Sequence, residues 1–181
     1  MTPRIYTKRG DDGTTGLHYG GRVRKDSTQI ELNGTVDEAQ SAMGVARAAS
    51  DDGSEVNERL VALCRDLYVL MAEVAVTPDH RPKLVAGTSL ITPEMVTALE
   101  EQIDELLGRF EMPSDFTIPG ANPVAASLDL ARAIVRRAER LAVREPVEGS
   151  LVLAYLNRLS DLLWAMARWQ EGPGLKLAKD A

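Results

Sequence analysis

The chain has 181 residues, a formal charge of −6, and 44% hydrophobic residues with only 4% aromatics. That is one domain of ordinary size whose core must be Leu, Val, Ala and Met, a composition that favours helices over a β-sandwich. The acidic balance argues against general nucleic-acid binding. A single cysteine, Cys64, excludes an internal disulfide framework. No apolar run is long enough to span a bilayer and no apolar leader opens the chain, so the cytoplasm is the expected location.

Residues 1–28 read as a glycine-rich arm in which Gly10, Gly13, Gly16, Gly20 and Gly21 disfavour a regular helix or strand. A first helix is expected from Thr35, where Thr35-Val-Asp-Glu38 spells a capping box, to about Ala49. Ser54 can cap a second helix, striped by Leu60, Leu63, Leu67, Leu70, Met71 and Val74. Thr77 to Ile91 reads as a loop. Thr92-Pro-Glu94 opens a third helix that runs to about Arg109, and Glu111 to Asn122 is a second loop. Asn122 and Pro123 open a fourth helix that closes before Pro146. A fifth spans about Ser150 to Gln170 and ends at Gly172-Pro-Gly174. The expected fold is all-α: a five-helix up-and-down bundle over 29–171, with the arm before it and a loose tail over 172–181.

The fourth helix carries the strongest chemical signal. Five arginines fall between Arg132 and Arg144, and Glu139 is the only acid among them. Arg132, Arg136 and Arg140 stand at i, i+4, i+8 and form a ladder on one face. Val124, Leu128, Ala131, Val135, Ala138 and Ala142 form the buried stripe on another. Like charges at this spacing destabilise an isolated helix. The ladder is therefore either a plain solvated face or a receptor for external anions, and arginine's fork suits phosphate. The arm adds Thr7, Thr14 and Thr15 hydroxyls, the cations Lys8, Arg9, Arg22, Arg24 and Lys25, and glycines that let backbone N–H groups approach an anion. It is neither a P-loop nor a dinucleotide fingerprint. Tyr155-Leu-Asn-Arg-Leu-Ser-Asp161 places Asn157 and Asp161 on one helical face, as a buried polar network or as part of a site.

Together these segments resemble the PduO-type ATP:cob(I)alamin adenosyltransferases, helical bundles that adenosylate corrinoids. The matching pieces, in the family's order, are Tyr6-Thr-Lys-Arg-Gly-Asp-Asp-Gly-Thr-Thr-Gly16, Gly34-Thr-Val-Asp-Glu38, Phe116-Thr-Ile-Pro-Gly120, Arg136-Arg-Ala-Glu-Arg140 and Tyr155-Leu-Asn-Arg-Leu-Ser-Asp161. The resemblance implies transfer of the 5′-deoxyadenosyl group of ATP to the cobalt of cob(I)alamin, with release of triphosphate. Reduced cobalt is already a strong nucleophile, so no side chain need activate one, and the chain's two histidines, His18 and His80, read as bystanders.

The resemblance also implies roles. Thr7, Lys8, Arg9, Gly10, Thr15, Gly16 and Lys25 match the arm that folds over ATP. Arg136, Arg137, Glu139, Arg140 and Asn157 match the nucleotide-contacting helices, with Arg132 and Arg136 the catalytic pair. Arg132 also matches an arginine that pairs across a subunit boundary with an acid equivalent to Asp37. Phe116 matches an aromatic residue near the lower face of the corrin. The family implies a homotrimer with intersubunit sites and Mg²⁺ held mainly by the ATP phosphates. A cob(II)alamin reductase and an adenosylcobalamin-dependent enzyme are the implied protein partners. Residue by residue, plainer readings stand beside these. Phe116 can be a loop anchor in the core, Asp37 a helix-dipole acid, Arg158 and Asp161 a local pair, and Trp164 and Trp169 packing. For the whole chain the alternatives are a non-catalytic carrier of ATP or adenosylcobalamin and a helical scaffold that binds an acidic partner. After Gly120 the family often has a second small glycine, where this chain has Ala121, Asn122 and Pro123.

Overall fold

The computed structural model describes residues 5–179, so the outermost residues of the expected arm and tail lie outside the described part. Five long helices follow a short hairpin. They are α1 (Thr28–Ala49), α2 (Glu55–Val74), α3 (Pro93–Leu107), α4 (Pro123–Ala142) and α5 (Val152–Glu171). Ser54, Thr92 and Asn122 cap α2, α3 and α4 through side-chain oxygens, as the sequence implies.

α1 departs from expectation at its start. Ser27, not Thr35, is the N-cap, and its side chain accepts from Ile30 N. Thr35 lies buried within the helix, and its hydroxyl donates to the Glu31 carbonyl at 2.7 Å. The apparent capping box is therefore a mid-helix turn in which threonine bonds back to the preceding turn.

Gln29 near the start of α1 donates to the carbonyls of Val74, the last residue of α2, and of Val76 just beyond it. Glu73 near that same end accepts from Ser150 just before α5 and from Ile91 N just before α3. At the opposite end, Asn122 before α4 donates to Gln170 at the end of α5. Thus α1, α3 and α5 run one way and α2 and α4 the other. α1 packs on α2 and α4, and α5 on α4 and α3. The core between them is aliphatic apart from Tyr155, with Met43, Leu60, Leu67, Leu99, Leu128, Leu156 and Leu159 fully enclosed. All but Val124 of the predicted α4 stripe is buried.

Three segments expected to be irregular carry order. In the arm, β1 (Thr14–Gly16) pairs antiparallel with β2 (Arg22–Arg24), in register Thr15 to Val23. In the turn between them Tyr19, Gly20 and Gly21 all have positive φ. Pro78–Lys83 forms a 3₁₀ turn inside the first loop. The tail pairs with the second loop: Ile118 N donates to the Lys176 carbonyl and Ala178 N to the Phe116 carbonyl, each at 2.8 Å.

Candidate functional site

α4 presents its cations away from the core. Arg136, Arg137 and Arg140 are exposed and Arg132 is half-buried. At 1.5 Å per residue the ladder from Arg132 to Arg140 rises about 12 Å along the helix. The arginines of this helix have different local partners. Arg137 pairs with Glu38 on α1. Arg132 Nε donates to Asp129 Oδ1 at 3.3 Å, one turn back on α4. Arg140 Nη1 donates to the Arg136 carbonyl, at 2.9 Å. Arg136 and Arg140 have no acidic partner among the described residues. Asp37 is exposed and likewise makes no ion pair among the described residues, so within one chain Asp37 and Arg132 do not meet.

The polar groups of α5 point to the same end of the bundle. Asn157 Nδ2 donates to Glu139 Oε1 at 2.9 Å, and its side-chain Oδ1 accepts from Arg158. Arg158 Nε reaches Glu100 on α3 at 2.8 Å rather than pairing with Asp161. Asn157 thereby fixes the carboxylate that lies between Arg136 and Arg140 in sequence. Trp164 meets Phe110 edge-on, with ring centroids 6.0 Å apart, and Trp169 stacks under Arg109 at 5.5 Å, so both are packing groups.

The arm sits at this end too. His18 N donates to the Ala75 carbonyl at 2.7 Å, and the Tyr19 hydroxyl donates to the Lys83 carbonyl at 3.1 Å. Arg22 holds the hairpin together through Thr14 Oγ1 at 2.6 Å and the Arg9 carbonyl at 2.5 Å. Lys25 Nζ donates to the Gly10 carbonyl at 2.8 Å. Thr7 Oγ1 accepts weakly from Arg9 N at 3.5 Å, and Thr15 and Gly16 lie in β1. Lys8, at φ +60°, and Arg9 are exposed and make no ion pair among the described residues. Asp12 turns inward on Thr14, whose hydroxyl and amide hold its carboxyl below the usual carboxylate range, and it lies 3.7 Å from Arg22.

Phe116 lies at the other end of the ladder and is 83% exposed, which rules out the core-anchor reading. It stands beside a cleft of about 540 Å³ that Pro119, Arg132 and Trp164 also line. Asp115 and the tail brace its loop: Asp115 Oδ1 accepts from Phe116 N, and Oδ2 pairs with Lys179 at 2.8 Å.

Under this loop is a cluster that the sequence analysis did not identify. Arg168 is only 2% exposed; it pairs with Asp129 and Glu171, both also buried, and donates to Thr117 Oγ1 at 2.6 Å. Burial pushes the Glu171 carboxyl above its ordinary range, against the pull of Arg168. The available signal was an arginine in the apolar run Ala165-Met-Ala-Arg168, with an acid three residues on. Among the described residues, no group of three or more His, Cys, Asp or Glu side chains is arranged to hold a metal.

The chain is a five-helix bundle that joins a cationic face on α4, where Arg136 and Arg140 have no acidic partner among the described residues, to a threonine- and glycine-rich hairpin and an exposed aromatic loop beside a cleft. The profile of the family described as Cobalamin adenosyltransferase matches residues 5–170, and the chain belongs to that family. It is 39% identical over 171 residues to a corrinoid adenosyltransferase of Citrobacter freundii, covering 93% of this chain and 95% of that one. It is 36% identical to the corrinoid adenosyltransferase PduO of Salmonella typhimurium over 92% of this chain, which spans about half (49%) of that longer protein. A variant PduO-type ATP:corrinoid adenosyltransferase from Lactobacillus reuteri, solved complexed with cobalamin and ATP, superposes with a TM-score of 0.82 at 29% identity, covering 93% of each chain.

Proposed function

We propose that this chain transfers the 5′-deoxyadenosyl group of ATP to the cobalt of cob(I)alamin, forming adenosylcobalamin and releasing triphosphate. The observation that carries the reading is the ladder on α4, whose members Arg136 and Arg140 lack acidic partners among the described residues and which runs from the arm's end of the bundle toward the cleft beside Phe116. A cobalt lone pair attacks C5′ of ATP, the C5′–O bond breaks, and the bonding pair leaves on triphosphate. The protein must align these atoms and neutralise the leaving charge.

In this reading Arg136 and Arg132 contact the reacting triphosphate. Arg137 and Arg140 extend the cationic face, and Glu139 with Asn157 orients the nucleoside. Thr7, Lys8, Arg9, Gly10, Thr15, Gly16 and Lys25 close over the phosphates. Phe116 lies against the lower corrin face and keeps the lower axial base off cobalt, which makes reduction to cob(I) easier. Mg²⁺ enters as part of the substrate, carried on ATP phosphate oxygens. The chain works as a cytoplasmic homotrimer in which Asp37 of one subunit meets Arg132 of the next, so each site is shared between subunits. A cob(II)alamin reductase supplies electrons and an adenosylcobalamin-dependent enzyme receives the product.

The test is a single-turnover absorbance measurement on pre-reduced cob(I)alamin mixed with protein and Mg²⁺–ATP. Adenosylcobalamin and triphosphate should appear in equal amounts. Saturable ATP binding with no cobalt–carbon bond would leave a carrier, and no nucleotide binding at all would leave a scaffold.

A further inference from the structure

We infer that Arg168 is a positioning residue for the corrinoid: it sets the loop bearing Phe116 and ties that loop to Arg132. The inference rests on the reading of Phe116 given above. A continuous polar chain links the two ends. Thr117, the residue next to Phe116, accepts from Arg168 Nη1 at 2.6 Å. Arg168 Nη2 donates to Asp129 Oδ2, and the other oxygen of that carboxylate accepts from Arg132 Nε at 3.3 Å. Glu171 braces the guanidinium from behind, with Oε1 at 2.9 Å from Nη2 and Oε2 at 2.6 Å from Nε. The Trp164 ring lies 5.6 Å from the guanidinium carbon.

Two features separate this cluster from an ordinary buried ion pair. First, the Phe116 side chain itself has no burial to hold it, so its direction depends on its backbone. That backbone is fixed by its hydrogen bonds to the tail and by the Thr117 side chain. Second, Arg168 and Asp129 both line the cleft beside Phe116, together with Arg132. A planar fork with several donors can hold loop, α4 and α5 in one geometry, which a lysine could not. Displacing the loop would move the apolar face offered to the corrin while leaving the cationic face of α4 in place.

The experiment compares Thr117→Val with Thr117→Ser, using Phe116→Ala as reference and supplying cob(I)alamin directly. Thr117→Val keeps the side-chain shape and removes the acceptor, and it leaves the Arg168 ion pairs intact. It should raise KM for cob(I)alamin about tenfold, the scale of one hydrogen bond to a charged group. KM for ATP should stay near native. Cob(II)alamin bound to the ATP-loaded protein should show more of the spectrum of the form with its lower base attached. Thr117→Ser, which retains the hydroxyl, should restore both readouts. Native behaviour of Thr117→Val beside an impaired Phe116→Ala would overturn the positioning role, as would equal rises in both KM values. If Phe116→Ala itself leaves the cobalamin KM and spectrum unchanged, the corrinoid reading of Phe116 fails, and the positioning role fails with it.

Discussion

Arg136 on α4 and Arg168 on α5 belong to helices that pack against each other, and their surroundings are opposite. Arg168 is enclosed, with two carboxylates and a hydroxyl on its fork and an indole beneath it. Arg136 is exposed and has no acidic partner among the described residues, while Arg140 one turn on adds a second unneutralised cation. The acids that could have neutralised this face are engaged elsewhere: Glu38 meets Arg137, and Glu139 is held by Asn157. The contrast separates arginines that hold the fold from arginines left available to an external anion.

The largest effect should come from breaking the buried side of this comparison. Arg168→Met would strand Glu171 without a cation and leave Asp129 only its long contact to Arg132, at a cost of about 3–5 kcal/mol of stability. Arg136→Met, on the exposed face, should change stability by no more than about 0.5 kcal/mol. Urea unfolding of the two variants checks this, and equal costs would erase the distinction.

Next in size is the expected pairing of Asp37 with Arg132 between subunits. Asp37→Arg should weaken association, and adding Arg132→Asp should recover part of the loss. The coupling should be on the order of 1 kcal/mol in a double-mutant cycle read by sedimentation. Zero coupling would leave Arg132 to its contact with Asp129.

The arm gives a smaller, kinetic effect. Lys8 and Arg9 are exposed, whereas Arg22 is tied to Thr14 and to the Arg9 carbonyl. Trypsin should therefore cut after Lys8 or Arg9 before Arg22, and Mg²⁺–ATP should slow the early cuts. Equal rates with and without nucleotide would count against an arm that closes on ATP.

The smallest effect is at the far end of the bundle. Arg109, and then Arg59, hold the Glu55 carboxyl below its ordinary value of 4.5. A carboxylate with a lowered folded pKa stabilises the protein above its unfolded value, and that support disappears as pH falls through the folded value. Glu55→Gln should therefore lower stability slightly at neutrality and leave it unchanged at the acid end, which flattens the acid limb of a stability–pH curve below pH 4.5. An unchanged acid limb would show that the pair is too solvated to matter.

The helices were legible because their signals are local. Leu60, Leu63, Leu67 and Leu70 declare a period, and Ser54, Thr92 and Asn122 declare starts. Thr35 misled because a capping box and a mid-helix threonine share one spelling, and only the upstream turn from Ser27 distinguishes them. The hairpin was hidden because its pairing runs between residues that glycines appear to separate. Phe116 came from the resemblance and its exposure came only with the fold, whereas the cationic face of α4 could be picked out from the residues. The Asp129–Arg168–Thr117 link could not, because its partners stand 39 and 51 positions apart and only the fold brings them together.

The most direct test of the central claim, that the unneutralised cations of α4 receive the triphosphate of ATP, is the turnover of Arg136→Ala with cob(I)alamin supplied directly. A contact that strengthens as charge moves onto the leaving oxygen should lower kcat more than it raises KM for ATP. The predicted loss is about 2–4 kcal/mol in the transfer step. Arg136→Lys should recover only part of it, because a point charge replaces a fork. Native turnover by Arg136→Ala would contradict the account and place the triphosphate elsewhere, with Lys8 and Lys25 of the arm the next cations to change.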